Sequence, residues 1–132
     1  MVSQRKVPGI LAYADEQPIG WCSIAPREEF HRLERSRTLK RIDDQPVWSV
    51  VCFFVAKPFR GKGVSTKLLE AAVKHAREQG AKIIEGYPTR SNVKQQDTAV
   101  YTGLASMFLK ARFIDCGSAS KARTIMRYKF EH

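Results

Sequence analysis

Val50-Val51-Cys52-Phe53-Phe54-Val55-Ala56-Lys57-Pro58-Phe59-Arg60-Gly61-Lys62-Gly63-Val64-Ser65 is the stretch whose reading decides the fold. Residues 50–55 are apolar, mostly β-branched or aromatic, which suits a buried strand. Lys57-Pro58-Phe59 ends the run. Gly61 and Gly63 allow a sharp turn and leave room for a bulky group to approach the backbone. From Val64 the apolar residues Leu68, Leu69, Ala72, Val73 and Ala76 recur at helical spacing, and Gly80 supplies a stop. The reading is strand, glycine turn, helix. At the start of that helix the amides of residues 61–66 lack intrahelical partners, and the helix dipole adds to their positive potential. Arg60 and Lys62 add charge beside them. The expected ligand is a phosphate or pyrophosphate.

Two familiar phosphate loops do not fit. G-x-x-x-x-G-K-S/T is longer than this turn, and G-x-G-x-x-G has Thr66 where its third glycine belongs. Residues 55–69 instead resemble the acetyl-CoA-binding motif of the GNAT N-acetyltransferase superfamily. That motif runs Gln or Arg, two residues, Gly, one residue, Gly or Ala, between a strand and a helix. Arg60, Gly63 and Ser65 occupy its three positions, with Ser in place of the last Gly or Ala. The resemblance continues to about residue 130.

The resemblance implies an α/β fold: a GNAT-like mixed central sheet with helices on both faces and acetyl-CoA at the splayed parallel strands. It implies direct transfer of an acetyl group to an amine of a small molecule or peptide. Arg60, Gly61, Lys62, Gly63, Val64 and Ser65 would grip the pyrophosphate, and backbone groups near Phe53 and Val55 would pair with the pantetheine. The reaction needs a base for the amine, a donor to the oxyanion and an acid for the thiolate. Many family members carry the base as a carboxylate on the central strand, and Val47 to Val55 contains none. Glu85, near the C-terminal end of the neighbouring strand, is the best carboxylate, a sensible place for a parallel-sheet site. An exposed strand-end carboxylate is the equally weighted alternative. The family's helix tyrosine aligns with Phe108, which has no proton to give. Tyr101, seven residues earlier on the same expected helix, is the candidate hydroxyl for the cofactor sulfur or the acceptor, against a packed aromatic. Tyr87 is a weaker third, and Cys52 reads as core. A non-catalytic acyl-CoA-binding or regulatory module of the same fold is the alternative function.

The composition sets the frame. At 132 residues the chain suits one domain, with residues 1–9 a polar tail and 10–132 the folded unit. No apolar run approaches the length of a bilayer span, and Pro8-Gly9 interrupts any secretory leader, so no membrane partner is expected. Three cysteines without C-x-x-C spacing argue for reduced thiols in the cytoplasm. Three scattered histidines offer no metal cluster. The net charge of +10 fits a solvated basic surface, or a basic mouth for polyanionic CoA or an acidic acceptor. No nucleic-acid-binding module is visible.

Along the chain, Ile10–Ala14 and Ile19–Ile24 read as a hairpin across Asp15-Glu16-Gln17-Pro18. Pro26 opens an expected helix, with Glu28 and Glu29 early and Arg35 and Arg37 late. Residues 26–46 form a helical insertion and loop, longer than the join most GNAT proteins make here, which the resemblance implies lies over the acceptor side; His31 within it reads as solvated. Val47–Val55 is the central strand and Val64–Gln79 the helix after the glycine turn. Ala81–Pro88 follows as a parallel strand. Thr98–Ala111 reads as a second helix, with Asp97 its cap and Gly103 inside it. Phe113–Cys116 and Thr124–Phe130 are strands. The family's first strand and following helices would precede residue 10, where only nine residues stand, so either this protein lacks them or Met1 marks a shortened form. An incomplete sheet leaves a homodimer open.

Overall fold

A computed structural model of the chain describes residues 2–4, 9–89, 100, 101, 103, 105–118 and 123–131. Its strands are β1 (Val2–Gln4), β2 (Ile10–Ala14), β3 (Gln17–Pro26), β4 (Trp48–Val55), β5 (Ile83–Gly86), β6 (Val100–Tyr101), β7 (Ile114–Ser118) and β8 (Thr124–Lys129). Its α-helices are α1 (His31–Glu34), α2 (Val64–Glu78) and α3 (Ala105–Lys110). One sheet runs β1-β2-β3-β4-β5-β8-β7, and β6 pairs with β4 off that path. β4 and β5 are parallel, as the intervening helix requires, and the other strand pairs are antiparallel.

The stretch that decides the fold behaves as its pattern predicts. Leu68, Leu69, Ala72 and Ala76 of α2 are fully buried against Val50, Phe53, Val55 and Ile84 of the sheet. Burial of each of the two leucine side chains contributes about 1.5–3 kcal/mol, so this contact anchors the domain. Gly80 takes a left-handed φ of 84°, and the Ala81 amide donates to Ala76 O at 2.9 Å. That bond reaches back across the last turn and closes the helix.

Three expectations need correction. The polar tail contains a strand: Val2, Ser3 and Gln4 pair with Ala12, Leu11 and Ile10. Pro26 does not open a long helix; it ends β3, opposite Trp48, and the Arg27 amide then donates to Val47 O at 3.0 Å. Helical structure in the insertion is one 3-10 turn at Arg27–Glu29 and the single turn of α1. The expected helix over Thr98–Ala111 is split. Val100 and Tyr101 are a strand, Gly103 has φ 95°, and only α3 is helical. The backbone there is tied elsewhere: Thr89 N donates to Gly103 O at 3.0 Å and Ala105 N to Thr89 O at 2.9 Å. Gly103 is therefore a turn residue, and a Cβ on it would stand 2.7 Å from the Phe108 ring. The Asp97 cap lies outside the described residues.

α2 and α3 share one face of the sheet, where Phe108 joins the main core. On the other face, segment 27–46 covers a second cluster of Leu33, Leu39, Tyr87 and Ile125. A bulge in β4 lies between the two clusters. Ser23 pairs with Cys52 but Ile24 with Val50, so Val51 has no opposite residue and packs beside the second cluster.

Candidate functional site

β4 and β5 run together only briefly. Their register is Trp48 to Ile84, Ser49 to Glu85 and Val50 to Gly86. The residues that follow the last pair, Val51 and Tyr87, help line a pocket of about 700 Å³. Further along β4, Val55 lines a cleft of about 250 Å³ at the start of α2.

The glycine turn forms the cleft's edge. Gly61 and Gly63 have φ of 75° and 81°, conformations that L side chains rarely adopt. A Cβ on either would meet nothing within 4 Å, so both glycines border open space. Gly63 caps α2 without any side-chain bond, and its carbonyl accepts the Lys67 amide at 3.2 Å. At a helix N-terminus the first amides point out of the helix, here toward the cleft that Val64 and Ser65 line. Arg60 Nε donates to Val55 O at 3.0 Å, which holds the guanidinium at the mouth. Arg60, Gly61, Gly63, Val64 and Ser65 all line the cleft, with Lys110 and Met107 of α3. Lys62 is exposed on the same turn but is not part of the lining. The basic Lys110 wall was not legible from the sequence, because the expected helix had the wrong start.

Phe53 stands differently from the expectation. Its side chain is fully buried, 6.3 Å from Phe108 in a T-shaped contact, and it does not line the cleft. The strand edge beside it is paired by β6, with Tyr101 opposite Phe53 and Val100 opposite Phe54. The Val55 carbonyl, too, already accepts Arg60. Tyr101 is thus a strand residue at β4, not a helix residue in line with Phe108. Phe108 packs so closely that a Cβ on Gly86 would fall 2.2 Å from its ring.

Glu85 is 1% exposed, which removes the exposed strand-end alternative. Its Oε1 accepts Tyr87 Oη at 2.7 Å and Arg27 Nη1 at 3.2 Å, and its Oε2 accepts Arg127 Nε at 2.7 Å. Arg127 also donates to both Asp43 oxygens, at 2.8 and 3.0 Å. Arg27, equally buried, donates to Glu34 Oε1 at 2.9 Å and to the Leu33 and Leu39 carbonyls. Tyr87 Oη also lies 2.7 Å from Ser49 Oγ and 3.1 Å from Arg27 Nη1. Burial, then the Glu85 charge, raises the Tyr87 hydroxyl far above its ordinary value. The Arg127 hydrogen bond holds Asp43 well below the usual carboxylate range. Glu34 is lowered by Arg41 first and Arg27 second. Burial opposes the Arg27 charge, but bonds to Glu34 and Tyr87 and the Glu85 charge leave it raised.

This network straps segment 27–46 to β5 and β8. Sequence reading missed Arg27 and Arg127, since an arginine is exposed by default. The available signal was Arg27 adjoining the apolar strand Ile19–Ile24, with no exposed turn between. His31, expected to be solvated, is exposed and also lines the larger pocket. Among the described residues, no helix is long and apolar enough to cross a membrane.

Comparison with solved structures finds the same fold. A ribosomal-protein-alanine N-acetyltransferase from Brucella melitensis superposes with a TM-score of 0.61 at 18% identity, over 92% of this chain and 68% of that one. A paia N-acetyltransferase from Thermoplasma acidophilum, in complex with coenzyme A, gives 0.59 at 18% identity, over 92% of this chain and 60% of that one. The GNAT domain of S. lividans PAT gives 0.61 at 16% identity, over 97% and 65%. The chain spans roughly two thirds of the length of these structures. No curated protein matches the sequence. The family model described as acetyltransferase (GNAT) family matches residues 3–101, well over half of the chain. The chain belongs to the GNAT acetyltransferase family.

Proposed function

We propose that the chain is an acetyl-CoA-dependent N-acetyltransferase acting by direct attack of an amine of a small molecule or peptide. The observation that carries this reading is the turn at Gly61–Ser65, whose two left-handed glycines open onto the cleft at the N-terminus of α2. The residues fit a pyrophosphate: the N-terminus of α2 opens onto the cleft, the tethered Arg60 adds charge, and Lys110 closes the opposite wall. When bound, acetyl-CoA supplies the acetyl group as an activated thioester. Three unclustered cysteines support a cytoplasmic setting for this reading.

Tyr101 is the hydroxyl candidate for the acyl end, because its position on β6 is opposite Phe53. Glu85 serves as the fixed centre of the strap rather than as the base. Two arginines and a tyrosine donate to it, so both its oxygens are already engaged within the protein. The amine's proton leaves to water in the larger pocket, where Glu29 and His31 stand.

A second reading has its own observation. β6 takes the β4 edge, and Phe108 fills the space against Gly86 and Gly103 without offering a hydroxyl. These features favour an acyl-CoA-binding module that does not transfer. The test is release of free CoA thiol from acetyl-CoA across a panel of amines, with Tyr101→Phe alongside. Turnover, lowered by Tyr101→Phe at unchanged CoA affinity, supports the enzyme. Binding with no turnover on any amine supports the module, and no binding by folded protein overturns both.

A further inference from the structure

The larger pocket lies on the sheet face opposite α2. Its floor is Val51 and Tyr87, the two residues that follow the last paired positions of β4 and β5. Phe30, Leu33 and Leu39 supply apolar walls. These walls are fixed. Arg27 Nη2 donates to the Leu33 and Leu39 carbonyls, while Ser49 and Glu85 hold the Tyr87 hydroxyl. A volume of about 700 Å³ suits a small ligand.

Charge at the rim is one-sided. Among the described residues, Arg32, Arg35 and Arg123 line the pocket against a single carboxylate, Glu29. Arg32 and Arg35 are exposed, and no ion pair holds either among the described residues. A guanidinium presents two parallel N–H groups to a carboxylate, so a rim of arginines discriminates strongly for that group. Glu29 gives a protonated amine its own partner. The pocket therefore offers an apolar cradle, an anion-selective rim and one acidic contact, beside the point where the parallel strands part.

We propose that this pocket is the acceptor site and that it selects an amine carrying a carboxylate on an apolar body, of amino-acid or dipeptide size. The proposal rests on the acetyltransferase reading and adds the substrate class.

The experiment keeps the two separable. Acetyl-CoA is first titrated into the intact protein by calorimetry; absence of binding counts against the cleft reading itself. The CoA-loaded protein is then given matched pairs: phenylalanine and phenylalaninamide, leucine and leucinamide. Acetylation and direct binding are measured for each. The acids should exceed their amides by about tenfold in kcat/KM or in affinity, the scale of a charge-assisted hydrogen bond. Arg32→Ala with Arg35→Glu should erase that ratio mainly through KM, with acetyl-CoA affinity unchanged. Binding of the acids without turnover would still support the pocket. Amides used or bound as well as acids, a ratio unmoved by the double variant, or no binding of any of the four compounds would overturn it.

Discussion

Replacing Glu85 by Gln separates a structural carboxylate from a catalytic one. The side chain is buried with Arg27, Arg127 and Tyr87 all donating to it. Gln keeps one acceptor oxygen and turns an N–H₂ toward groups that are themselves donors. Removing one partner of a buried ion pair costs about 3–5 kcal/mol. Here each arginine keeps a second carboxylate, Glu34 for Arg27 and Asp43 for Arg127. The cost accordingly drops to about 2–3 kcal/mol. With an unfolding entropy near 2.1 cal/mol/K per residue, a chain of 132 residues loses about 7–11 °C of Tm for that destabilisation. Thermal unfolding followed by circular dichroism reads the shift, and calorimetry on the same variant reads CoA affinity. The expected result is a lowered Tm with affinity within about twofold and turnover kept below the new Tm. An unchanged Tm with turnover down by about a hundredfold or more would refute the reasoning and restore Glu85 as the base.

Gly86→Ala places a Cβ 2.2 Å from the Phe108 ring, which is itself locked against Phe113 at 4.9 Å between centroids. An overpacking cost of about 1–3 kcal/mol should lower the urea midpoint, and an unchanged midpoint would mean the ring has somewhere to go. Asp43 is held below its ordinary value by Arg127, so its contribution is complete above about pH 4 and is lost as pH falls through its folded pKa. Wild type should be more stable than Asp43→Asn near neutrality, with the gap closing on acidification; a gap that stays constant down to pH 2 contradicts the pairing. Cys116 is exposed while Cys22 is buried, with burial first and Cys52 second raising its thiol far above the ordinary value. A thiol reagent should modify Cys116 in the native protein and Cys22 only on unfolding; native labelling of Cys22 would contradict its place in the core.

The parts legible in the sequence were those where local pattern and tertiary demand agree. Val50 to Gly80 is one such part, because periodicity, two obligatory glycines and a C-terminal glycine all point to one answer. The insertion was harder. Acidic residues after Pro26 favour a helix start, but the buried Arg27 needs Glu85 and Glu34, and that long-range pairing draws the chain off a helical path. The segment around Tyr101 failed for a related reason. Apolar residues at helical spacing hide that Gly103 must take a positive φ beneath Phe108, so the chain turns there and β6 joins β4. In the site, the proposed phosphate end was written locally in one turn. The larger pocket is assembled from segment 27–46, Val51, Tyr87 and Arg123, residues whose proximity no local pattern records.

The claim on which the account stands is that the cleft at Gly61–Ser65 holds acetyl-CoA. Calorimetric titration of the wild-type chain and of Arg60→Ala with Gly63→Asp tests it most directly. At Gly63 the φ of 81° costs an added side chain about 1–2 kcal/mol of backbone strain, but its Cβ meets no protein atom within 4 Å, and the carboxylate sets a negative charge where phosphates would lie. The account predicts saturable binding near one to one in the wild type and none in a variant that remains folded. No heat from folded wild-type protein, or equal affinity in the variant, would contradict it.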